Sequence, residues 1–125
     1  MRFKLTVPGS LALALMTLLG ALSLAAVPAA AADPAFAGKW AEDIATCKLG
    51  QDDQNAPLII TKGGYDQHEA HCKFKKLEGS GNEWKADAEC SVEGDSQSTS
   101  FTFSVSGDTL TIGEDGSTRD YLRCK

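Results

Sequence analysis

Basic residues are scarce in this chain. It carries 12 lysines and arginines against 17 aspartates and glutamates, a net charge of −5. The only basic group is Lys73, Lys75 and Lys76, and three charges on one surface strand read as a solvated face. An acidic domain without a basic cluster repels phosphate backbones, so nucleic acid is not an expected partner. Catalytic signatures are missing too. No glycine-rich phosphate loop joins a strand to a helix, and no serine-nucleophile motif is present, since Gly79-Ser80-Gly81 reads as a turn. Carboxylates are plentiful, but Asp87, Glu89 and Glu93 share the wet face of one strand. A hydrolytic pair needs two carboxyls in unlike environments within a cleft. No catalytic residues, cofactor site or metal site are therefore expected, and the chain reads as a non-enzyme.

Long hydrophobic runs are limited to one, and it stands at the start. Arg2 and Lys4 precede an uncharged, mainly apolar stretch from Leu11 to Leu24. Val27-Pro28 and the small residues Ala29 to Ala32 follow. The run is short for a membrane span of ~20 residues. The order of parts is that of a secretion signal, with Ala30 and Ala32 in the A-x-A cleavage pattern. Residues 1–32 are read as the signal peptide and Asp33 as the first mature residue. No cysteine follows the cleavage point, so a lipid anchor is not expected. The Ala/Leu-rich leader looks bacterial, which makes the expected compartment the periplasm or, after further export, the extracellular medium. Without Arg2 and Lys4, ten bases face 17 acids, a net charge of −7. That excess suits solubility and steers the domain toward a cationic partner.

Residues 33–125 suffice for one domain, and a domain of this size has a thin core. Disulfides are the expected remedy. Cys47, Cys72, Cys90 and Cys124 all lie in the mature part, an even count that argues for two bridges in a secreted domain. Two connectivities remain open. Register about the turn at Gly79 to Asn82 places residue 72 opposite 89 or 90, giving Cys72–Cys90 with Cys47–Cys124. The alternative is Cys47–Cys72 with Cys90–Cys124.

Helical periodicity is also absent beyond the leader: no stretch exceeds about two turns. Short strands separated by turn signals take its place. Phe36 to Ile44 is a first strand candidate, and Thr46 to Pro57 is polar and irregular. Leu58 to Thr61 is short and apolar. Gly63-Gly64 turns into an extended run from Tyr65 to Leu77, whose alternation slips between Phe74 and Leu77 as at a bulge. The clearest strand is Glu83 to Glu93. Trp84, Ala86, Ala88, Cys90 and Val92 fall on one face and the charged residues on the other. Phe101, Phe103 and Val105 alternate next, then Leu110 and Ile112, and Thr118 to Cys124 closes the series. A meander this long must hide its edges, and closure does so. The expected fold is all-β, an up-and-down barrel of seven or so strands stapled by two disulfides.

His68-x-x-His71-Cys72 invites a zinc reading, because imidazole and thiolate suit that metal. On a strand, residues i and i+3 point to opposite faces, and an oxidised cysteine is a poor ligand. The pair reads as two polar side chains on a half-exposed strand.

Gly38-Lys39-Trp40 in the first strand and Tyr121-Leu122-Arg123-Cys124 in the last resemble the calycin pattern. The resemblance implies that Trp40 packs across the barrel floor and that Arg123 covers its indole, a structural pair. A guanidinium stacked on an indole gains ~1–2 kcal/mol. Phe36-Ala37-Gly38-Lys39-Trp40 followed by Cys47-Lys48-Leu49 also resembles the bacterial periplasmic inhibitors of secreted metalloproteases. That resemblance spans about 15 residues and implies a partner-contacting tail, here Asp33, Pro34, Ala35 and Phe36, extending to about Ala37. Two extra cysteines and the long Thr46–Pro57 segment depart from that family's pattern. Periplasmic lysozyme inhibitors are a second comparison, as disulfide-tied barrels whose acidity suits a cationic lysozyme.

The expected function is a secreted binding protein, monomeric and free of the membrane after cleavage, with a secreted hydrolase as candidate partner. Two alternatives stay open. One is an envelope structural or stress protein with no discrete site. The other is a carrier of a small apolar ligand, which Trp84, Phe101, Phe103 and Tyr121 would oppose by filling the interior.

Overall fold

The computed structural model describes Gly9 and residues 32–125. The expected leader lies, but for Gly9 and Ala32, outside the described residues. Eight strands follow one another: β1 (Gly38–Ala41), β2 (Leu58–Thr61), β3 (Gly64–Gln67), β4 (Ala70–Ser80), β5 (Glu83–Val92), β6 (Asp95–Ser106), β7 (Thr109–Glu114) and β8 (Ser117–Arg123). A short 3-10 helix, Ile44–Lys48, follows β1, with the Asp43 side chain accepting from the Ala45 amide at its start. Each strand pairs antiparallel with the next, and β8 returns to β1 through Trp40↔Arg123 and Ala41↔Leu122. The result is a closed barrel.

Alternation accounts for the walls. In β5 Ala86, Ala88 and Cys90 are buried while Lys85, Asp87 and Glu89 are exposed. In β6 Phe101, Phe103 and Val105 turn inward between exposed or half-exposed neighbours. Two-residue turns join the hairpins. Asp115-Gly116, with φ of 49° and 78°, supplies the left-handed backbone that a right-twisted hairpin needs.

The count of eight exceeds the expected seven because the run from Tyr65 to Leu77 is two strands. His68, at φ 51°, turns the chain between β3 and β4. No glycine, proline or asparagine marks this turn. It is held from a distance: Gln51 Oε1 accepts the His68 amide at 2.8 Å, and Gln67 Nε2 donates to the Ala56 carbonyl at 3.0 Å. The expected bulge is present, with a register shift between Phe74 and Lys76. The first strand is shorter than expected. Before it, the Ala37 amide donates to the Pro34 carbonyl, and after it the 3-10 helix begins.

The disulfides are Cys72–Cys90 and Cys47–Cys124. Cys72 and Cys90 stand opposite each other on β4 and β5, as the hairpin register requires. Cys47 ties the 3-10 helix to the residue after β8. The alternative connectivity is excluded. Two disulfides, and no helix among the described residues long and apolar enough to cross a membrane, are compatible with a secreted protein.

The core runs the length of the barrel. Phe36, Trp40, Leu58, Ile60, Phe101, Phe103, Val105 and Leu110 are buried with the small residues Ala86 and Ala88. Tyr65, Phe74, Leu77, Trp84, Ile112 and Tyr121 pack against them. Phe36 stacks on Phe103 with centroids 4.6 Å apart, and its edge meets Trp84 at 5.7 Å. Burying one such ring contributes ~1.5–3 kcal/mol.

Candidate functional site

The meander gives the barrel two unlike ends. The turns at 62–63, 81–82 and 107–108 lie at one end, with Phe36 and Arg123. The turns at 68–69, 93–94 and 115–116 lie at the other, where the 42–57 connection begins and ends, while its 3-10 helix runs beside β8 to the Cys124 disulfide.

The first end is sealed. Trp40 and Phe36 are both 0% exposed. The Trp40 Nε1–H donates to the Phe36 carbonyl at 2.9 Å, which satisfies the one polar atom of the indole. Arg123 lies over the Trp40 ring, 4.1 Å from its centroid, and donates from Nη2 to the Ala35 carbonyl at 3.3 Å. Gly38 makes this approach possible, since a Cβ there would stand 3.2 Å from Arg123 Nη1. Asp108 receives Lys125 Nζ at 2.7 Å and faces Arg123 Nε at 3.8 Å. The hydrogen bond and charge of Lys125, helped by Arg123, hold the Asp108 carboxyl below its ordinary value. Trp40 and Arg123 thus come together as a structural pair.

The expected contact tail needs correction at its inner end. Phe36 is not available to a partner, because it is the stopper of the barrel. The Ala35 and Pro34 carbonyls are engaged by Arg123 and Ala37. Ala32 and Asp33 are exposed ahead of the seal, and Pro34, Ala35 and Ala37 are half-buried in it. Phe36 stands two steps of alternation from Trp40 in the expected strand Phe36 to Ile44, a spacing that fits its burial; the resemblance to protease inhibitors placed it in the tail instead.

The second end is open and concave. A recess of about 510 Å³ is lined by Glu42, Asp43, Gln67, His68, Glu69, Glu93, Arg119 and Tyr121, among others. Its charge is one-sided. Arg119 is held by Glu42 at 3.1 Å. Asp43 caps the 3-10 helix. Glu69 and Glu93 have no ion-pair partner among the described residues. Beneath the rim, burial pushes the Tyr65 phenol up to about 12, with the Glu114 carboxylate and Tyr121 adding to the effect. Burial also raises Tyr121 above the ordinary phenol value.

The two histidines go separate ways. His68 Nδ1 meets the Gln51 carbonyl at 3.1 Å, and His71 Nδ1 meets Asp66 Oδ1 at 2.6 Å. Cys72 is buried in its disulfide. Among the described residues no three His, Cys, Asp or Glu side chains gather as a metal site. The rim residues Glu42, Glu69 and Glu93 were missed by the sequence reading. They lie in different connections, and only ring closure gathers them.

Comparison with protein-family models, with curated proteins and with solved structures finds no match to this chain.

Proposed function

We propose that this chain is an exported, non-enzymatic binding barrel of the bacterial periplasm that engages a cationic secreted hydrolase through its open end. One observation carries the reading: the interior is filled by side chains, and the recess at the open end is rimmed by carboxylates. A filled interior disfavours the small-ligand carrier. One-signed charge around a recess raises the encounter rate with an oppositely charged partner. The leader, the disulfides and the resemblance to periplasmic inhibitors support the compartment.

Between the two hydrolase classes, the geometry favours a lysozyme. Insertion of a tail into a metalloprotease cleft needs free residues before β1, and the seal leaves only one or two. The test is inhibition by the purified oxidised protein, titrated against a c-type lysozyme and a secreted metalloprotease. Saturable lysozyme inhibition is expected, weakening as salt rises toward 0.5 M and falling at least tenfold in a Glu69→Lys, Glu93→Lys double variant. No inhibition of either enzyme at micromolar concentration would refute the hydrolase reading.

A further inference from the structure

The barrel wall is uneven. β4, β5 and β6 hold 11, 10 and 12 residues, whereas β7 holds 6 and β3 holds 4. The long strands therefore overshoot their neighbours and leave two stretches of backbone with one side unpaired. β4 pairs β3 only over Ala70–Lys73, leaving residues 75–80 without a partner on that side. β6 pairs β7 only over Phe101–Ser106, leaving residues 95–100 likewise.

The two free edges are built differently. The β4 edge, Lys75-Lys76-Leu77-Glu78-Gly79-Ser80, carries two lysines, a bulge and a glycine at φ 145°. These are the devices that keep an exposed edge from pairing. The β6 edge, Asp95-Ser96-Gln97-Ser98-Thr99-Ser100, has none of them. It is regular, it pairs residue for residue with β5, and its side chains are short.

Its backbone polarity is fixed by the ladder. The Val105 amide donates toward the β5 side, to the Asn82 carbonyl at 3.0 Å. Groups alternate along a strand, so the odd residues of β6 face β5. Ser96, Ser98 and Ser100 therefore turn their N–H and C=O groups outward, where no backbone partner meets them among the described residues. Two side chains brace the edge. Thr99 Oγ1 donates to Glu114 Oε1 at 3.1 Å, and Ser100 Oγ donates to Asp87 Oδ1 at 2.7 Å.

We infer that residues 95–100 of β6 are a docking edge for an extended, lysine- or arginine-bearing segment of a partner protein, which adds to the barrel as an extra strand. The charge of the notch selects the occupant. β7 stops at Glu114, Asp115 follows, and the tip of the β5–β6 hairpin carries Glu93 and Asp95. Arg119 near the notch is engaged by Glu42, and Lys75 beyond β5 by Glu89. Lys73 beside Ser96 and Ser98 is thus the one unpaired cation at this edge among the described residues, against the four carboxylates Glu93, Asp95, Glu114 and Asp115. A second copy of this chain would bring a second set of these carboxylates into the notch. Backbone bonds supply affinity in such strand addition, and the added side chains supply specificity. The inference rests on the reading above only for the sign of the partner's charge.

The test uses the oxidised protein and a blocked octapeptide of alternating lysine and threonine, followed by amide hydrogen exchange in NMR. In the free protein the amides of Ser96, Ser98 and Ser100 exchange fast and those of Gln97 and Thr99 slowly. At saturating peptide the three serine amides are expected to slow at least tenfold, while those of Leu77 and Gly79, which face outward on the guarded edge, stay fast. Ser98→Pro removes an outward N–H and leaves the β5 side untouched, so it is expected to keep the fold and weaken the peptide at least tenfold. The same peptide with alternate nitrogens methylated tests the contact from the ligand side and should not bind. Serine amides that stay fast at saturation, equal binding of the methylated peptide, or equal binding of a glutamate–threonine peptide would each overturn the inference. Protection that grows with protein concentration alone would overturn it in favour of self-pairing. The two readings fail separately: lysozyme inhibition by a protein whose serine amides stay fast at saturating peptide leaves the hydrolase reading standing and refutes strand addition. Peptide pairing without lysozyme inhibition does the reverse.

Discussion

Trp40, Phe36 and Arg123 carry the sealed end between them, and each has a separable energy. Truncating a buried aromatic ring costs ~3–5 kcal/mol, so Trp40→Ala and Phe36→Ala should each lower stability by that amount in urea unfolding. A loss below about 1 kcal/mol at either site would show that the ring is not core. Arg123→Gln removes the charge over the indole and should cost only about 1–2 kcal/mol. Tyr65 reports the other end. Its phenol is raised from 10.0 to about 12, so the fold favours the neutral form. That contribution is full below pH 10 and is lost between 10 and 12, as the unfolded chain ionises and the folded one does not. Phenolate absorbance should rise late for Tyr65, and unfolding should grow easier across that window. A midpoint near 10 for every tyrosine would contradict the burial. Trp40 and Arg123 were legible because each sits in a recognisable strand. Phe36, counted in the same strand candidate, was nevertheless assigned to the contact tail by resemblance, and it reaches the core from an irregular segment held by the Trp40–Phe36, Arg123–Ala35 and Ala37–Pro34 hydrogen bonds.

The elements divide by how local their causes are. β5 was legible to within one residue, because eleven alternating positions leave one way to bury a face. The break between β3 and β4 was hidden, because Gln51 holds that turn from 17 residues away. Gly64 opens β3 against β4 in an unusually close contact. A Cβ there would lie 1.9 Å from the Cys72 carbonyl oxygen, at φ 159°. Gly64→Ala should therefore cost more than about 2 kcal/mol and loosen β3 in hydrogen exchange. Gly94→Ala, where nothing lies within 4 Å, is the comparison and should cost about 1 kcal/mol for its left-handed backbone alone. Equal losses at the two sites would refute the close contact.

For the molecule, closure decides most of what the sequence left open. Register about one hairpin allowed Cys72–Cys90 without choosing it over Cys47–Cys72, and only the meeting of β1 with β8 brings Cys47 to Cys124. The bridges differ in sequence separation, 77 against 18. By loop closure they contribute about 4.5 and about 3 kcal/mol. Replacing Cys47 and Cys124 with serine should thus lower the melting temperature more than replacing Cys72 and Cys90 with alanine. The reverse order would mean that the open end depends on its buried bridge more than the ring depends on its clasp. The acidic rim was illegible for the same reason that Cys47–Cys124 was ambiguous. Its carboxylates are strangers in the chain and neighbours only in the ring.

The pairing of β1 with β8 also sets a schedule. The strand made first waits for the strand made last, and Cys47 waits 77 residues for its partner. Until β8 arrives, β1 and β7 each present an unmatched backbone, and Trp40 has no guanidinium above it. A chain that loses its final turn of synthesis is left as an open ribbon rather than a slightly shorter barrel. Such contacts between distant residues are slow to form. Folding therefore waits for β8, and a product stalled before Arg123 should be cleared by proteases while one that includes β8 survives them.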